Sequence, residues 1–479
     1  MILTPPQMLE VERVAFDSGV RAEDLMEQAG LGIAGVVRQF HPRPGHCIAF
    51  VGKGHNGGDA LVAARHLRGD GWSVEIREAF DRSHAAPLTA ARWFADSPAA
   101  ISSGPLVVLD GLLGLGASGN PRGGVAGAIE AIQSLRRHRG AWVLAVDLPS
   151  GLGANLTVEA DVTATIGFAK TPLLEDEATK FTGRLALIPL PGLIPPSGVP
   201  CGGLITPAAL EGLLPPRNFE THKGQAGRVA VIAGSEGFPG AARLCATGAL
   251  RAGAGLVTLY TCESVLPALA SSLPPEVMLR PRSAWNSGSE PRFDAIAVGP
   301  GMVRASDEEI LRILSSLKTP SVLDADALRP MSGIRGGLLL PPHPCLLTPH
   351  PGEMERLLLR EGRDRRSWAE AFVQSHPATL LLKGARTIVT QRNKPVFYNT
   401  TGHPGMASGG MGDVLSGVAA ALLAQGKSPL DAAKISAWTC GYAAEIALRG
   451  GLVSQESLTA SDVLENLGAA FSGLRAGVY

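Results

Sequence analysis

The sequence predicts an α/β protein whose two consecutive halves each contain a parallel β-sheet covered by helices. In both halves, short β-branched runs bounded by glycine alternate with longer helical patterns, which is typical of parallel sheets buried on both faces. Eight prolines fall between Pro189 and Pro216 without a strand or helix period, so we expect a linker there. We therefore predict one domain over residues 1–200 and a second over residues 201–479.

The predicted elements alternate along the chain. In the first half we expect strands at Cys47–Val51, Val74–Arg77, Leu106–Asp110 and Trp142–Asp147, with helices at Asp59–Arg68 and Val125–Arg137. In the second half we expect strands at Val229–Ala233, Leu256–Tyr260, Ala295–Val298, Ser321–Asp324 and Leu380–Lys383, with helices at Ala241–Ala252, Asp307–Ser316 and Asp413–Ala424. Ligands bind at the carboxyl ends of such parallel strands, so the residues that follow the strands are the candidates for chemistry.

The composition excludes several classes of protein. The chain has 479 residues, and its 43 Lys and Arg balance its 43 Asp and Glu, so it lacks the basic excess of an electrostatic nucleic-acid binder. The six cysteines include no C-x-x-C pair, which argues against a zinc site or a disulfide framework. No apolar run reaches the roughly 18 residues that span a bilayer, and the N-terminus does not resemble a signal peptide. We expect a soluble, cytoplasmic protein that binds neither nucleic acid nor membrane.

A glycine-rich turn follows the first predicted strand. The segment Gly52–Asp59 contains four glycines and leads into a helix. Backbone N–H groups in such a turn approach ligands closely and point at an anion near the helix N-terminus. The segment matches neither a Walker loop nor a G-x-G-x-x-G fingerprint, and an ordinary glycine-rich turn is the alternative interpretation.

Polar side chains are predicted to meet at the same edge of the first sheet. Asn56 and Asp59 follow the first strand, Asp110 ends the third before a second glycine-rich loop, and Asp147 and Ser150 follow the fourth. One aspartate at a strand end is usually a turn former. Several such residues beside two glycine loops favour a phosphate-bearing ligand and a cation bound by oxygen atoms, an alkali or alkaline-earth ion rather than zinc.

The first half resembles the NAD(P)H-hydrate epimerase domain. The resemblance lies in four segments, Asp24–Gly30, His55–Asp59, Asp110 with Gly114-Leu115-Gly116, and Val146–Gly151. Three positions depart from the family pattern, since His55 stands where Asn is usual, Leu115 where Thr is common, and Gly111 after Asp110 where Ala is usual.

This resemblance implies a Rossmann-like three-layer α/β/α fold and a set of site residues. A potassium ion would be held by Asn56, Asp110 and Ser150, and Asp147 would contact the substrate and transfer a proton. The hydrated dinucleotide would also be bound by His55, Asn56, Gly57, Gly58, Asp59, Gly114, Leu115, Gly116, Ala117, Ser118, Gly119 and Asn120.

The strongest motif of the second half is Gly405–Asp413, which leads directly into the apolar segment Val414–Ala424. Glycines at a helix N-terminus expose N–H groups that stabilise charge on a transferring phosphoryl group. An aspartate in the first helical turn is normally a cap. After a glycine-rich loop, Asp413 can instead be the base that deprotonates a hydroxyl attacking phosphate.

The second half resembles the ADP/ATP-dependent NAD(P)H-hydrate dehydratase domain, which has a ribokinase-like α/β/α fold. The resemblance runs from His222 to Gly426 and includes the G-x-G-D motif that ends at Asp413. It implies that Asp413 is the catalytic base, and that Ala242, Gly301, His350 and Asp413 contact the hydrated dinucleotide. The adenine nucleotide would be bound by Lys383, Gly384, Ala385, Arg386, Thr387 and Gly412. Asp324 and Asp326 are expected to be strand-end caps without a further role.

Together, the two resemblances imply the repair of hydrated NADH and NADPH. The first domain would interconvert the R and S epimers at C6 of the reduced nicotinamide ring. The second would dehydrate the S epimer: the C6 hydroxyl, deprotonated by Asp413, takes the terminal phosphoryl group of ADP or ATP, and the ring nitrogen then expels phosphate. Magnesium and a homo-oligomeric assembly are also expected.

Two alternatives remain at this stage. A ribokinase-like kinase of a small molecule would use the same G-x-G-D chemistry and would accumulate a phosphorylated product. The first half could also be a dinucleotide-binding domain without catalysis, although Asn56, Asp110, Asp147 and Ser150 are all present.

Overall fold

The computed structural model describes residues 1–80, 104–198, 202–285, 292–331, 340–358 and 364–479. The chain forms two compact units, the first comprising Met1–Leu204 with Tyr479 and the second comprising Ile205–Val478. Within the predicted linker, residues 199–201 lie outside the described part. In the described ranges, no helix has both the length and the apolar character needed to cross a membrane.

The first unit is built around a parallel sheet. Its strands are β1 (Ile2–Leu3), β2 (His46–Val51), β3 (Ser73–Glu78), β4 (Leu106–Gly111), β5 (Trp142–Val146), β6 (Val162–Ile166), β7 (Ala169–Lys170) and β8 (Arg184–Ile188). Its helices are α1 (Pro5–Asp17), α2 (Ala22–Phe40), α3 (His55–Gly69), α4 (Gly123–Arg139) and α5 (Thr179–Thr182), with a 3₁₀ turn at Thr171–Leu174.

The strand order of this sheet indicates where a binding crevice lies. Neighbouring strands follow the order β3-β2-β4-β5-β6-β8, and all are parallel. From β2 the chain first moves outward to β3 and then returns to β4 on the other side. Ligands bind where the order reverses in this way, at the carboxyl ends of the strands. The two glycine-rich segments follow β2 and β4 and therefore flank that point.

Alternate side chains of the strands pack into two apolar layers, one on each face of the sheet. Cys47, Ala49 and Val51 of β2 pack in a core with residues of α1, α2 and α3. Ile48 and Phe50 point to the opposite face and pack with residues of α4. Because successive side chains of a strand face opposite sides, the sheet becomes the middle of the three layers that the sequence predicted.

The second unit has a larger sheet. Its strands are β9 (Gly203–Ile205), β10 (Arg228–Ile232), β11 (Leu256–Thr261), β12 (Val277–Pro281), β13 (Ala295–Val298), β14 (Ser321–Leu323), β15 (Cys345–Leu347), β16 (Thr379–Leu382), β17 (Ile388–Gln391) and β18 (Phe397–Asn399). Its helices are α6 (Pro239–Arg251), α7 (Leu266–Ala270), α8 (Asp307–Ser316), α9 (Pro351–Leu358), α10 (Arg365–Ser375), α11 (Met411–Ala424), α12 (Pro429–Arg449) and α13 (Ala460–Ala476). Five 3₁₀ turns lie at Ala208–Leu210, Glu263–Val265, Arg282–Ala284, Ala325–Met331 and Pro404–Met406 in the described residues.

This sheet is parallel only in part. The order is β12-β11-β10-β13-β14-β15-β16-β17-β18-β9, and it reverses between β10 and β13, which again places a crevice at their carboxyl ends. The prediction of a purely parallel sheet is wrong at one edge, where β17 pairs antiparallel to both β16 and β18. The connection from Leu382 to Ile388 is too short for the crossover that a parallel pair needs.

Helix α11 lies in the core of this unit. Its residues from Val414 to Leu423 are all buried, and they pack with residues of α6, α12 and α13. Its N-cap residue Gly410, which precedes the first helical residue, has φ = 92°, a conformation that L-residues rarely adopt. A Cβ at Gly410 would also lie 2.5 Å from Leu244 Cδ1, so only glycine fits where the helix begins.

Candidate active sites

The glycine-rich segment after β2 is largely helical. Helix α3 begins at His55 rather than at Asp59, so the predicted helix start was late. Its glycines allow close packing, because a Cβ at Gly57 would lie 2.2 Å from the carbonyl oxygen of Gly52 and one at Gly58 would lie 2.4 Å from Met26 Sδ. These two glycines therefore serve the contacts of the helix, and Asn56 and Asp59 both lie in its first turns.

Asn56, Asp110 and Ser150 lie in connected hydrogen-bond networks at the carboxyl edge of the sheet. The fully buried Asp110 carboxylate accepts hydrogen bonds from the backbone N–H of Ser150 at 2.8 Å and from its hydroxyl at 2.6 Å. The Ser150 Oγ in turn accepts from the Leu113 N–H at 3.0 Å. Asn56 Nδ2 donates to the carbonyl oxygens of Leu113 at 3.1 Å and Val146 at 2.7 Å.

These groups are able to hold a hard cation. Asp110 is a buried carboxylate whose hydrogen-bond donors among the described residues are neutral, and burial raises its pKa to about 6. A cation beside it would offset the cost of the buried negative charge. The donors nearby are carboxylate, hydroxyl, amide and carbonyl oxygens, which suit an alkali or alkaline-earth ion. The donor set therefore fits the potassium ion that the sequence predicted.

Asp147 belongs to a different cluster from Asn56, Asp110 and Ser150. Its φ of 66° lies in the left-handed region, which aspartate tolerates better than most residues. Its carboxylate accepts from the Ile166 N–H at 2.9 Å and forms an ion pair with Lys170. Lys170 is only 1% exposed and also donates to the Ile166 carbonyl oxygen at 2.6 Å. The sequence did not predict this lysine as a site residue.

Two further acids surround this ion pair. Burial, and after it the charge of Asp147, raises the pKa of Asp59 well above its usual range. The same two causes raise the pKa of Glu12, which comes from α1. Glu12, His55 and Asp59 line a cavity of about 60 Å³, enough for a few water molecules or the edge of a small ring. The cluster thus combines the buried ammonium of Lys170, the Asp147 carboxylate and two carboxyls whose pKa burial raises.

The second glycine-rich loop is open to solvent. Residues 116–120 are all exposed, and a Cβ at Gly116 or Gly119 would meet no atom within 4 Å. Gly114 is different, because a Cβ there would lie 2.6 Å from Asn56 Oδ1. The first glycine of the loop therefore makes room for Asn56, while the rest of the loop is accessible to a ligand.

In the second unit, Asp413 lies in the first turn of α11. Within the described residues, no hydrogen bond reaches its carboxylate, so the alternative that it caps its helix is not supported. Burial first, and the charge of Asp324 next, raise the pKa of Asp413 to about 7, while Lys383 opposes the shift. A carboxyl with such a pKa is poised to act as a base near neutral pH.

Asp324 is not a simple strand-end cap, contrary to the expectation from sequence. It is 1% exposed, and its carboxylate accepts from Lys383 Nζ at 2.7 Å and from Ser416 Oγ at 2.7 Å. Asp326 meets the expectation more closely, since it lies 3.4 Å from Arg329 Nη1 in the 3₁₀ turn that follows β14. Lys383 also lies 4.0 Å from Glu353.

The predicted dinucleotide contacts of this unit differ in accessibility. His350 is half exposed, and its Nδ1 and backbone N–H form reciprocal hydrogen bonds with Glu353 at the start of α9. Gly301 follows β13 with φ = 65°, and its carbonyl oxygen accepts from Ser235 Oγ at 2.7 Å. Ala242 is fully buried on α6, so the structure does not place it at a surface that a ligand could contact, contrary to the expectation from sequence. Ser235 thus joins the loops after β10 and β13, where the strand order reverses.

The predicted nucleotide segment 383–387 is the turn between β16 and β17. Thr387 Oγ1 donates to the Gly384 carbonyl oxygen at 3.2 Å, and Arg365 Nη1 donates to the Arg386 carbonyl oxygen at 3.3 Å. Ala385 is exposed, while Arg386 is 3% exposed. Gly412 lies beside Lys383, because a Cβ at Gly412 would be 3.2 Å from Lys383 Nζ. The structure therefore brings Gly412 and the first residue of this segment together.

Three comparisons bear on the family of the chain. A family model described as "NAD(P)H-hydrate dehydratase" matches residues 229–466, and one described as "YjeF-related protein N-terminus" matches residues 22–172. The bifunctional NAD(P)H-hydrate repair enzyme of Moorella thermoacetica is 33% identical and covers 97% of this chain and 96% of its own length. The enzyme of the same name from Gloeobacter violaceus is 34% identical, with 92% of each chain covered.

A solved structure resembles the second unit. The ADP/ATP-dependent NAD(P)H-hydrate dehydratase of Bacillus subtilis, co-crystallised with ATP and Mg²⁺, is 28% identical with a TM-score of 0.50. The alignment covers 58% of this chain and all of that protein. A Streptococcus mutans protein with a TM-score of 0.50 and 23% identity shares the fold.

Proposed function

The chain belongs to the family of bifunctional NAD(P)H-hydrate repair enzymes, and on that premise we propose that residues 1–200 epimerise hydrated NADH and NADPH while residues 201–479 dehydrate the S epimer with ADP or ATP. The observation that carries this proposal is the position of Asp413, a half-buried carboxyl whose pKa is raised to about 7, directly after the glycines at the start of α11. The products are NAD(P)H, phosphate, and AMP or ADP.

The dehydration step follows from the groups around Asp413. This residue takes the proton of the C6 hydroxyl as the hydroxyl oxygen attacks the terminal phosphorus of the nucleotide. N–H groups at the start of α11 and the ammonium of Lys383 stabilise the charge on the transferring group. The nitrogen lone pair of the ring then expels phosphate, because phosphate is a far better leaving group than hydroxide. The iminium ion that remains loses its C5 proton to the released phosphate or to water, which forms the C5=C6 double bond of NAD(P)H.

The epimerisation site is proposed at Asp147. Inverting C6 requires a proton to be given to the hydroxyl as it leaves and removed from the water that returns. Asp147, held by Lys170 and the Ile166 N–H, is placed beside Glu12 and Asp59, which supply further exchangeable protons. We propose that potassium, bound by Asn56, Asp110 and Ser150, supplies a fixed positive charge that binds the dinucleotide phosphates.

The proposal also includes a magnesium ion at the dehydration site and a cellular compartment for the enzyme. Mg²⁺ at such sites is bound mostly through substrate phosphates and water, and the Bacillus subtilis dehydratase was crystallised with ATP and Mg²⁺. We propose that the ion enters this site with the nucleotide. The cytoplasm is the compartment we propose, because Cys47, Cys245, Cys262, Cys345 and Cys440 are free thiols in the described residues, as is usual in a reducing compartment.

Product analysis tests this function against a small-molecule kinase. Purified protein is incubated with the S hydrate, ADP or ATP, and Mg²⁺, and the products are separated by chromatography. We expect free phosphate and NAD(P)H in equal amounts. A phosphorylated dinucleotide that accumulates without release of phosphate would assign the second unit to the kinases.

The cation ligands give a first prediction. Asp110→Ala removes the formal charge among the three ligands, so it should lower the rate of epimerisation and remove its dependence on potassium. The rate is measured by chromatography of the R and S hydrates over a range of potassium concentrations. The control is Asp70→Ala, which removes an exposed carboxylate that pairs with Arg38. Interconversion that is equally fast without potassium, in parent and variant alike, would remove the cation from the mechanism.

The division of labour gives a second prediction. A piece that begins at Gly202 keeps β9 and the whole second unit, so it should fold and dehydrate the S hydrate but not consume the R hydrate. Circular dichroism measures folding, and chromatography follows each epimer. An insoluble or inactive piece would contradict the assignment of the activities to separate domains.

A further inference from the structure

We propose that Asp324 is a positioning residue of the dehydration site, which fixes Lys383 and the first turns of α11 and thereby sets the charge that Asp413 experiences. The proposal deepens the proposed function and rests on it, because Asp413 must be the base of the dehydration.

One buried carboxylate connects two parts of the site. Asp324 Oδ1 accepts from Lys383 Nζ at 2.7 Å, at the end of β16. Asp324 Oδ2 accepts from Ser416 Oγ at 2.7 Å, and Ser416 lies one helical turn beyond Asp413 on α11. The two carboxylate oxygens of Asp324 therefore bind Lys383 and Ser416, two residues that lie near Asp413, one directly after β16 and the other on α11.

The ion pair also lies against the glycine that precedes the base. A Cβ at Gly412 would be 3.2 Å from Lys383 Nζ and 3.6 Å from Asp324 Oδ2. Gly412 thus leaves the ammonium and the carboxylate in contact with the helix start. A change in either charge will be felt at Asp413, because interactions between charges are strong in a site largely shielded from water.

The backbone keeps Asp324 in this place. The next residue, Ala325, has φ = 49°, in the left-handed region. The carbonyl oxygen of Asp324 approaches Gly299 so closely that a Cβ there would lie 1.8 Å away. The turn after β14 is therefore packed against the loop after β13, which leaves the Asp324 side chain little freedom to move.

The charges that face Asp413 come from several elements. Asp324 and Asp326 follow β14, and Lys383 follows β16. Cys245 on α6 is fully buried, and its pKa is raised by burial and by Asp413. Asp324 raises the pKa of Asp413 and Lys383 lowers it, so neutralising Asp324 removes one effect and leaves the other unopposed.

The test compares the pH dependence of dehydration in three variants. kcat/KM for the S hydrate is measured from pH 5 to 9 at saturating nucleotide and Mg²⁺. In the parent, activity falls as pH decreases and Asp413 becomes protonated. The pH range over which activity falls on the acidic side of the profile is the acidic limb. Asp324→Asn should move this limb to lower pH by about one unit or more. Lys383→Met should move it by a similar amount to higher pH. Ser416→Ala loses a hydrogen bond to Asp324 but no charge, so the limb should stay at the parental pH.

The outcomes separate this inference from the function on which it rests. Opposite displacements in the two charge variants support it. Activity that is lower at every pH with an unmoved limb, or that excess Mg²⁺ restores with an unmoved limb, would overturn it, because Asp324 would then be a structural or metal-binding residue. If Asp324→Asn does not fold, as judged by circular dichroism, the Lys383→Met profile decides alone. A parent enzyme without dehydratase activity refutes the proposed function itself.

Discussion

Asp413→Asn should abolish most of the dehydration of the S hydrate while the protein still folds and binds nucleotide. Asparagine keeps the size of the side chain, and in the described residues no hydrogen bond to the Asp413 carboxylate would be lost. The substitution removes the base, and a positioned general base is typically worth about 10²–10⁴-fold in rate. Epimerisation should continue at the parental rate, because Asp147 and Lys170 belong to the other unit.

The matched control is Asp431→Asn. Asp431 has the corresponding position in the first turn of α12, where it pairs with Lys434 at 2.8 Å. Both variants are assayed by chromatography of the two epimers, and nucleotide binding is measured by calorimetry. Dehydration by Asp413→Asn within a few-fold of the parent would mean that another residue is the base. A parallel loss of epimerisation would mean that the two activities are coupled.

Lys170→Met should destabilise the first unit and stop epimerisation. The substitution leaves the Asp147 carboxylate buried without its cation, and breaking a buried ion pair in this way costs about 3–5 kcal/mol. Hydrogen exchange of β6, whose Ile166 N–H binds Asp147, reports the loss within this unit. Dehydration of the S hydrate should be unaffected.

Two further variants separate charge from packing. Asp147→Asn combined with Lys170→Met removes both charges, so it should recover part of the lost stability but none of the epimerisation. Lys180→Met removes an exposed lysine of the same unit and should change neither. If the double variant is as unstable as Lys170→Met, the uncompensated charge is not the cause of the destabilisation.

The positions of the candidate sites could be predicted because the site residues come directly after strands in the sequence. A short apolar strand followed by a glycine-rich segment is a local feature of the sequence. A parallel sheet brings the segments that follow its strands to the same edge. The bounds of β13 and α8 were predicted correctly, and α8 has a clear signal in Ser306, which caps it, and in the acidic residues of its first turn. Asp110 and Ser150 lie close together because Asp110 is near the end of β4, Ser150 follows β5, and these two strands are parallel neighbours.

The partners of the buried charges could not be predicted in the same way. Asp324 contacts Lys383 and Ser416, which are 59 and 92 residues away in the sequence, and no local pattern pairs them. Lys170 is the last residue of the short strand β7, and no local pattern in the sequence shows that the fold buries it. The antiparallel turn between β16 and β17 was missed because the rule for alternating strands and helices was applied to a strand pair without a helix between them.

The central claim, that one chain carries both activities, is tested most directly with the pure R hydrate as the only dinucleotide. The full-length protein is incubated with R hydrate, potassium, Mg²⁺ and ADP, and NADH, AMP and phosphate are measured over time. We predict that the S hydrate appears first and that NADH then forms with one AMP and one phosphate for each molecule. Without ADP, the reaction should stop at a mixture of the two epimers. R hydrate that persists unchanged in the presence of ADP, while the same protein dehydrates S hydrate, would contradict the account.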